Sequence, residues 1–249
     1  MALALRTATL VAGSETPVGT GTTGALRCVV MVQGETTRRA AILKRAAAAE
    51  VCAEAFAGLL LNGWGLTVAE PLLVDENGTL AFASADLSYP NLKQRFGVSE
   101  VVNPAKPAEV IAARIAMNQV CLFGSTPLAM ACDEAIQNRD RNLGNILWDG
   151  TTEAWIDHAY AFGNGSGLPD QNKLCIMATG TPYQDKLKAG AVAHALTLGN
   201  AIVGEAESGI SSTVLPVSPM ATLVAGRLSG LAGRILARFP QPSDLLTNA

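Results

Sequence analysis

The stretch Asn138-Arg139-Asp140-Arg141-Asn142-Leu143-Gly144-Asn145-Ile146-Leu147 sets an aspartate and an asparagine five positions apart, at the start of a short apolar run. After the turn at Asp149-Gly150, the segment Trp155-Ile156-Asp157-His158 places a second aspartate at the end of a returning run. Residues 143–148 and 154–157, flanking that turn, read as a β-hairpin. The hairpin brings Asn145 and Asp157 to one end, where both can reach one metal cluster. Phosphoryl transfer from a nucleotide calls for such a trio. One carboxylate orients the attacking hydroxyl and accepts its proton; an asparagine and another aspartate hold Mg²⁺ against the phosphates. The plain structural alternative is a polar turn before a hairpin, with Asp140 capping the turn and Asp157 ending a strand. The order Asp, Asn, Asp across a hairpin, with an apolar strand on each side, favours chemistry.

A second candidate lies near the N-terminus. Gly19-Thr20-Gly21-Thr22-Thr23-Gly24 matches G-x-G-x-x-G, a spacing that lets backbone N–H groups approach phosphate. A dinucleotide-binding reading needs a helix after the last glycine. Leu26-Arg27-Cys28-Val29-Val30 follows instead, a strand, which suits a loop between hairpin strands; a flexible Gly/Thr turn stays open beside it.

These side chains need a scaffold. Leu26–Val32, the turn Gln33-Gly34-Glu35 and residues 40–43 read as a hairpin ending at Lys44. Residues 46–61, rich in Ala, Leu and Glu without proline, predict a helix of about four turns, stopped at Asn62-Gly63. Residues 66–74 and 79–84 predict two strands joined by Asp75-Glu76-Asn77-Gly78. Helices are expected over 107–122, as a core helix, and over 127–137, 183–200 and 222–239. Residues 204–219, rich in Gly, Ser and Pro, read as a loop. The outline is a β-rich N-terminal part with one long helix, then a helical part carrying a small hairpin; ligand sites commonly lie between such parts.

Composition narrows the classes. Of 249 residues, 49% are apolar and 16% charged, which excludes wholesale disorder. A net charge of −3 argues against a non-specific nucleic-acid binder. Five scattered cysteines, no CxxC and two histidines argue against a zinc site or disulfide framework, so a reducing, cytoplasmic setting is expected. Residues 1–13 lack the basic start of a signal peptide, and no run of about 18 apolar residues occurs. No membrane association is expected.

Residues 138–147 together with 155–162 resemble the signature of the HipA-like kinases. They are also similar to the phosphatidylinositol-kinase-like group, whose loop reads Asp-Arg-His-x-Gly-Asn followed by Ile-Asp. Upstream, residues 54–71, with Gly65-Leu66-Thr67-Val68 before Pro71, resemble the family's αC helix and the turn after it, so the resemblance spans about residues 26–162. It implies an α+β, two-lobed protein-kinase-like fold: a small β-rich N-terminal lobe over 1–85 and a mostly helical C-terminal lobe over 86–249. It implies Asp140 as the catalytic base and Asn145 and Asp157 as Mg²⁺ ligands. Lys44 would contact the phosphates of ATP and Glu54 would pair with it, Glu50 one turn earlier being the competing choice. Gly19, Gly21 and Gly24 would line the phosphates. Residues 82–86 would form the hinge, where backbone groups, those of Ala83 and Ala85 among them, pair with adenine and Asp86 either reaches the ribose or caps a helix over 87–94. His158 would hydrogen-bond the loop rather than ligate metal. Two departures stand out: Asn142 replaces a histidine common in relatives, and no regulatory serine is matched, Ser14 being merely near the glycines.

The resemblance implies an ATP- and Mg²⁺-dependent enzyme phosphorylating serine or threonine in a protein, with an antitoxin-like partner and no direct nucleic-acid contact. A nucleotide-binding pseudokinase or scaffold is the alternative from another class, with Asn142 distorting the loop. A lipid or small-molecule kinase is less favoured because no basic lipid-binding patch is evident, and a purely structural domain predicts no nucleotide binding.

Overall fold

Along Leu26–Val32, Cys28, Val30 and Val32 are buried while Arg27 and Met31 are exposed, the period-two alternation of a strand with one face inward. The same pattern recurs in the neighbouring strands, and their shared interior closes on itself. The computed structural model describes residues 3–18, 24–211 and 214–241. Its first six strands are β1 (Arg6–Leu10), β2 (Thr16–Pro17), β3 (Leu26–Val32), β4 (Arg38–Lys44), β5 (Pro71–Glu76) and β6 (Thr79–Ala85), in the order β1-β5-β6-β4-β3-β2. Because β1 also pairs with β3, five strands form a closed barrel and β2 adds to the rim of β3. Only β1 and β5 run parallel.

A five-stranded barrel has little internal space. It is filled mainly by small and β-branched side chains, including Ala8, Cys28, Val30, Ala41, Val74, Ala81 and Ala83. The outward residues Leu73 and Phe82 pack instead with the helix α1 (Ala48–Gly63), buried without interruption from Val51 to Leu61. The helix lies close to β5: a Cβ at Gly58 would sit 2.8 Å from the Cβ of Pro71.

The remainder is helical apart from one hairpin. It comprises α2 (Leu92–Phe96), α3 (Pro107–Leu122), α4 (Thr126–Ile136), a single 3₁₀ turn (Leu143–Asn145), β7 (Ile146–Trp148) and β8 (Glu153–Trp155). Then come α5 (Lys173–Ala178), α6 (Gln184–Thr197), α7 (Asn200–Ser208), α8 (Ser218–Leu228) and α9 (Leu231–Ala237). One apolar core runs from α1 through α9. The architecture is therefore mixed, with a β-rich N-terminal region and a helical C-terminal region.

Several expectations shift. The strand expected from residue 66 begins at Pro71, because residues 67–68 pair with the hairpin instead. The helix expected over 87–94 is α2, capped by a reciprocal Asn91–Gln94 pair. The loop expected over 204–219 contains the last turn of α7, and the helix expected over 222–239 breaks at Ser229-Gly230 into α8 and α9. The helix α3 has the expected bounds but is only partly core: it buries Ala113, Ala116, Val120 and Cys121 while Ile111, Ile115 and Leu122 face solvent. Among the described residues no single helix is long and apolar enough to cross a membrane.

All five cysteines are unpaired and buried. Burial, reinforced by the Glu134 carboxylate, pushes the Cys175 thiol up to about 12. Unfolded thiols ionise near pH ~8.5. Thiol ionisation therefore leaves stability intact below that pH and erodes it as pH rises toward about 12. A colorimetric disulfide reagent at pH 8 is expected to titrate no thiol in the native chain and all five after denaturation. A thiol reacting within minutes in the native state contradicts this burial.

Candidate active site

The hairpin β7–β8 is held on both flanks. Trp155 donates its backbone N–H to the Thr67 carbonyl at 2.9 Å, and Trp148 donates to the Pro90 carbonyl at 3.0 Å. The buried indole of Trp155 donates to the Ser125 hydroxyl at 2.9 Å. Behind the hairpin lies Arg141, fully buried. Its Nε and Nη2 donate to the two oxygens of Asp133 at 2.9 and 2.8 Å, a bidentate charge-assisted pair. Its Nη1 donates to the Asn145 carbonyl at 3.1 Å and the Ile156 carbonyl at 2.7 Å. One guanidinium thus ties the chain just before β7 to the chain just after β8. Asp140 immediately precedes it and Asp157 immediately follows its second carbonyl.

Arginine can only donate. Its Nη2, 3.0 Å from His158 Nε2, therefore requires that nitrogen to accept. Burial, then the charges of Arg141 and Lys44, hold the His158 pKa well below its ordinary value. His158 is neutral, with its proton on Nδ1. The expected loop contact of His158 is thus present, made to the Arg141 side chain.

The Asp140 carbonyl accepts from two amides, Asn142 Nδ2 and Asn145 Nδ2, each at 3.1 Å. Asn142 Oδ1 accepts from the Gly144 N–H at 2.8 Å and caps the 3₁₀ turn. Asn142 is therefore a strut of the loop rather than a distortion in it. The Asp140 carboxylate accepts from Lys173 Nζ at 3.0 Å.

Lys44, at the end of β4, donates to Glu54 Oε1 at 2.5 Å and to Asp157 Oδ1 at 2.9 Å. Glu54 Oε2 accepts the His158 backbone N–H at 2.9 Å. Of the two glutamates on α1, the pairing is made by Glu54, not Glu50. Burial works against the Lys44 charge, but the two carboxylates outweigh it and raise its pKa above the ordinary lysine value. Burial pushes the Glu54 carboxyl up, with Lys44 opposing. Asp157 sits at φ +63°, a left-handed conformation that costs a non-glycine residue about 1–2 kcal/mol.

Lys44, Glu54, Asp157 and His158 form the polar wall of a cavity of about 540 Å³, counting space open to solvent. Its apolar walls include Ile42, Val68, Phe82, Leu147 and Ile156, and Ala85, Asp86 and Leu87 also line it. Asp140 and Asn145 do not line it; they adjoin it through the Arg141 bridge. The Ala83 side chain belongs to the barrel interior, because alternation along β6 turns Phe82 and Ser84 toward the cavity and the Ala83 side chain away. The helix-cap reading of Asp86 is replaced: its carboxylate takes Arg27 Nε at 2.7 Å and the Ser88 N–H at 2.7 Å. Gly24 has φ +61°, while Gly19 and Gly21 lie outside the described residues. Ser14 is structural, its hydroxyl bonded to Val11 and Val29 backbone.

Among the described residues no group of three His, Cys, Asp or Glu is placed to hold a metal unaided. Mg²⁺ characteristically takes one or two protein oxygens and finishes its shell with water and phosphate. Asn145 and Asp157 match that demand: the Asn145 amide is oriented through its nitrogen, leaving the oxygen as the acceptor, and Asp157 already holds a cation in Lys44.

No family model and no curated protein matches the chain. Among solved structures it is similar to the Helicobacter pylori proinflammatory kinase CtkA, with a TM-score of 0.55 and 14% identity over 89% of this chain and 94% of that one. The fold is that of the HipA-like kinases. A chain of the Shewanella oneidensis MR-1 toxin–antitoxin complex of HipA, HipB and operator DNA gives the same TM-score, 0.55, at 12% identity over 91% of this chain. This chain spans 66% of that one, so part of that structure has no counterpart in the HipA-like fold described here.

Arg141, Asp133 and Lys173 were not singled out from the sequence. Arg141 had a readable signal, a charged residue inside a loop otherwise destined for burial, with Asp133 eight residues earlier. Lys173 had none, being 33 residues from the carboxylate it touches. Replacing Arg141 with Met leaves Asp133 buried and unpaired and is expected to lower unfolding free energy by about 3–5 kcal/mol. Chemical denaturation measures this, and a loss below about 1 kcal/mol contradicts the role assigned to the bridge.

Proposed function

We propose that the chain transfers the γ-phosphoryl group of ATP to a hydroxyl, with serine or threonine of a protein as acceptor. The observation that carries this reading is the Lys44 cation shared by Glu54 and Asp157 on a cavity wall, with Asp140 fixed one buried arginine away. The barrel and α1, about residues 1–85, act as a small lobe, residues 86–249 as the larger one, and the nucleotide binds between them. The apolar walls from Ile42, Val68, Phe82, Leu147 and Ile156 receive the base, with backbone of Ala85 and Asp86 at its edge. Lys44 releases Asp157 and binds phosphate oxygens while Glu54 keeps it in place. Gly19, Gly21 and Gly24 supply backbone N–H groups to the phosphates.

Asn145 and Asp157 would hold Mg²⁺, which when bound neutralises the phosphate charge. Asp140 orients the acceptor hydroxyl. The hydroxyl oxygen forms a bond to the γ-phosphorus, the bond to the bridging oxygen breaks, ADP leaves, and the hydroxyl proton passes to Asp140. That CtkA is a kinase supports the reading. A partner standing to this chain as HipB does to HipA belongs to it, as does a cytoplasmic location, where ATP is abundant and free thiols persist. The pseudokinase alternative rested on Asn142, and the loop bonds made by that residue favour an active enzyme.

Asp140→Asn is expected to reduce Mg²⁺-dependent ATP turnover by about 10²–10⁴-fold without changing the melting temperature, and equal turnover in both proteins removes Asp140 as the base. In calorimetric titrations, Asp157→Ala is expected to abolish the Mg²⁺-dependent part of nucleotide binding. Unchanged binding counts against the metal assignment.

A further inference from the structure

Beside the Asp140 loop is a second, larger hollow that shares no lining residue with the first. It measures about 1010 Å³, counting space open to solvent. Its floor is Arg141, Asn142 and Leu143, the three residues after Asp140, and Lys173, which holds the Asp140 carboxylate, forms part of its wall. Asp140 lines neither hollow: the second is lined by the three residues that follow it and by its partner Lys173, while the first reaches the loop only through the Arg141 bridge to Ile156. With a nucleotide in the first, the second is the hollow that leaves room for another molecule beside Asp140.

The chemistry of the lining describes that molecule. Val98, Val102, Val110, Met117 and Met177 make the walls apolar, and two methionines give a surface able to repack around varied side chains. The charges are unbalanced. Lys93, Arg114, Arg141 and Lys173 face one carboxylate, Glu100, in a chain whose net charge is −3. Lys93 is taken up by Glu100, Arg141 by Asp133 and Lys173 by Asp140. Arg114 is exposed and has no carboxylate partner among the described residues. An open, mainly apolar hollow with an unneutralised arginine suits an extended peptide better than a small acceptor, which binds best when enclosed.

We propose that this hollow is the acceptor site, and that it takes a peptide segment in which the serine or threonine is flanked by aliphatic residues and a carboxylate that pairs with Arg114. The proposal rests on the kinase reading and gives its substrate a chemical class. Its step is the one written above: the acceptor oxygen bonds to the γ-phosphorus of ATP, ADP departs, and the proton passes to Asp140.

The experiment uses the full chain and two series of synthetic peptides, each with one serine and several leucines or valines, one series carrying glutamates and the other lysines. Binding is followed without nucleotide by fluorescence anisotropy and by the methyl NMR signals of Met117 and Met177. The acidic series is expected to bind, to shift both methyl signals, and to bind at least tenfold more weakly to Arg114→Glu, whose melting temperature and Mg·ATP affinity stay unchanged. A second variant, Val110→Glu, is expected to weaken the acidic series likewise. With Mg·ATP present, the acidic peptides are expected to be phosphorylated, and Arg114→Glu raises their KM rather than lowering kcat. Equal binding of both series, indifference to Arg114→Glu, or unmoved methyl signals would overturn the proposal. So would concentration-dependent self-association of the chain that Arg114→Glu abolishes. Peptide binding in the hollow without phosphorylation, while Mg·ATP still binds, overturns its role as acceptor site. Failure of the wild type to bind Mg·ATP at all instead overturns the kinase reading.

Discussion

A single guanidinium organises the chemistry of this chain. Removing Arg141 from water is costly, and only its bidentate pairing with Asp133 and its two carbonyl partners make that burial tolerable. In return, the loop carrying Asp140 and the strand end carrying Asp157 share one rigid anchor. His158 is drawn into the same arrangement as a neutral acceptor, so its ring position follows from where the arginine points. A buried ion pair of this kind is weak evidence for stability, and its value here is positional.

The second charge centre is Lys44. Lys44 spans β4, α1 and the strand end after β8, so the barrel, the helix and the hairpin meet at one nitrogen. Glu54 is held further by the His158 N–H. The lysine thus has one carboxylate partner on α1 and one at the end of the hairpin. Asp157 adopts a left-handed backbone conformation that the surrounding contacts impose, a feature often found where strain serves a site.

The arrangement around the hairpin was more legible in the sequence than the helical region. Asp140, Asn145 and Asp157 were legible because their spacing is local and their hairpin has a clear turn at Asp149-Gly150. The bounds of α3 were legible from Pro107 and its periodicity, although its exposed Ile111 and Ile115 were not, because apolar periodicity does not say whether a partner covers it. The break between α8 and α9 at Ser229-Gly230 escaped because the apolar pattern continues through it. Lys173 depends on tertiary packing alone. The fold neighbours share the chain's architecture at 12–14% identity.

Closure of the barrel has a consequence for how the protein is made. The first strand pairs in parallel with β5, whose partner residues lie more than sixty positions downstream, as Arg6 with Leu72. A nascent chain leaving the ribosome therefore carries its opening strand with one flank unmatched until β5 has emerged. Lys44 meets Glu54 after ten further residues, but Asp157 only after 113. Over the residues between, the lysine has one counter-charge, and the pocket is completed only when the hairpin arrives to supply the other.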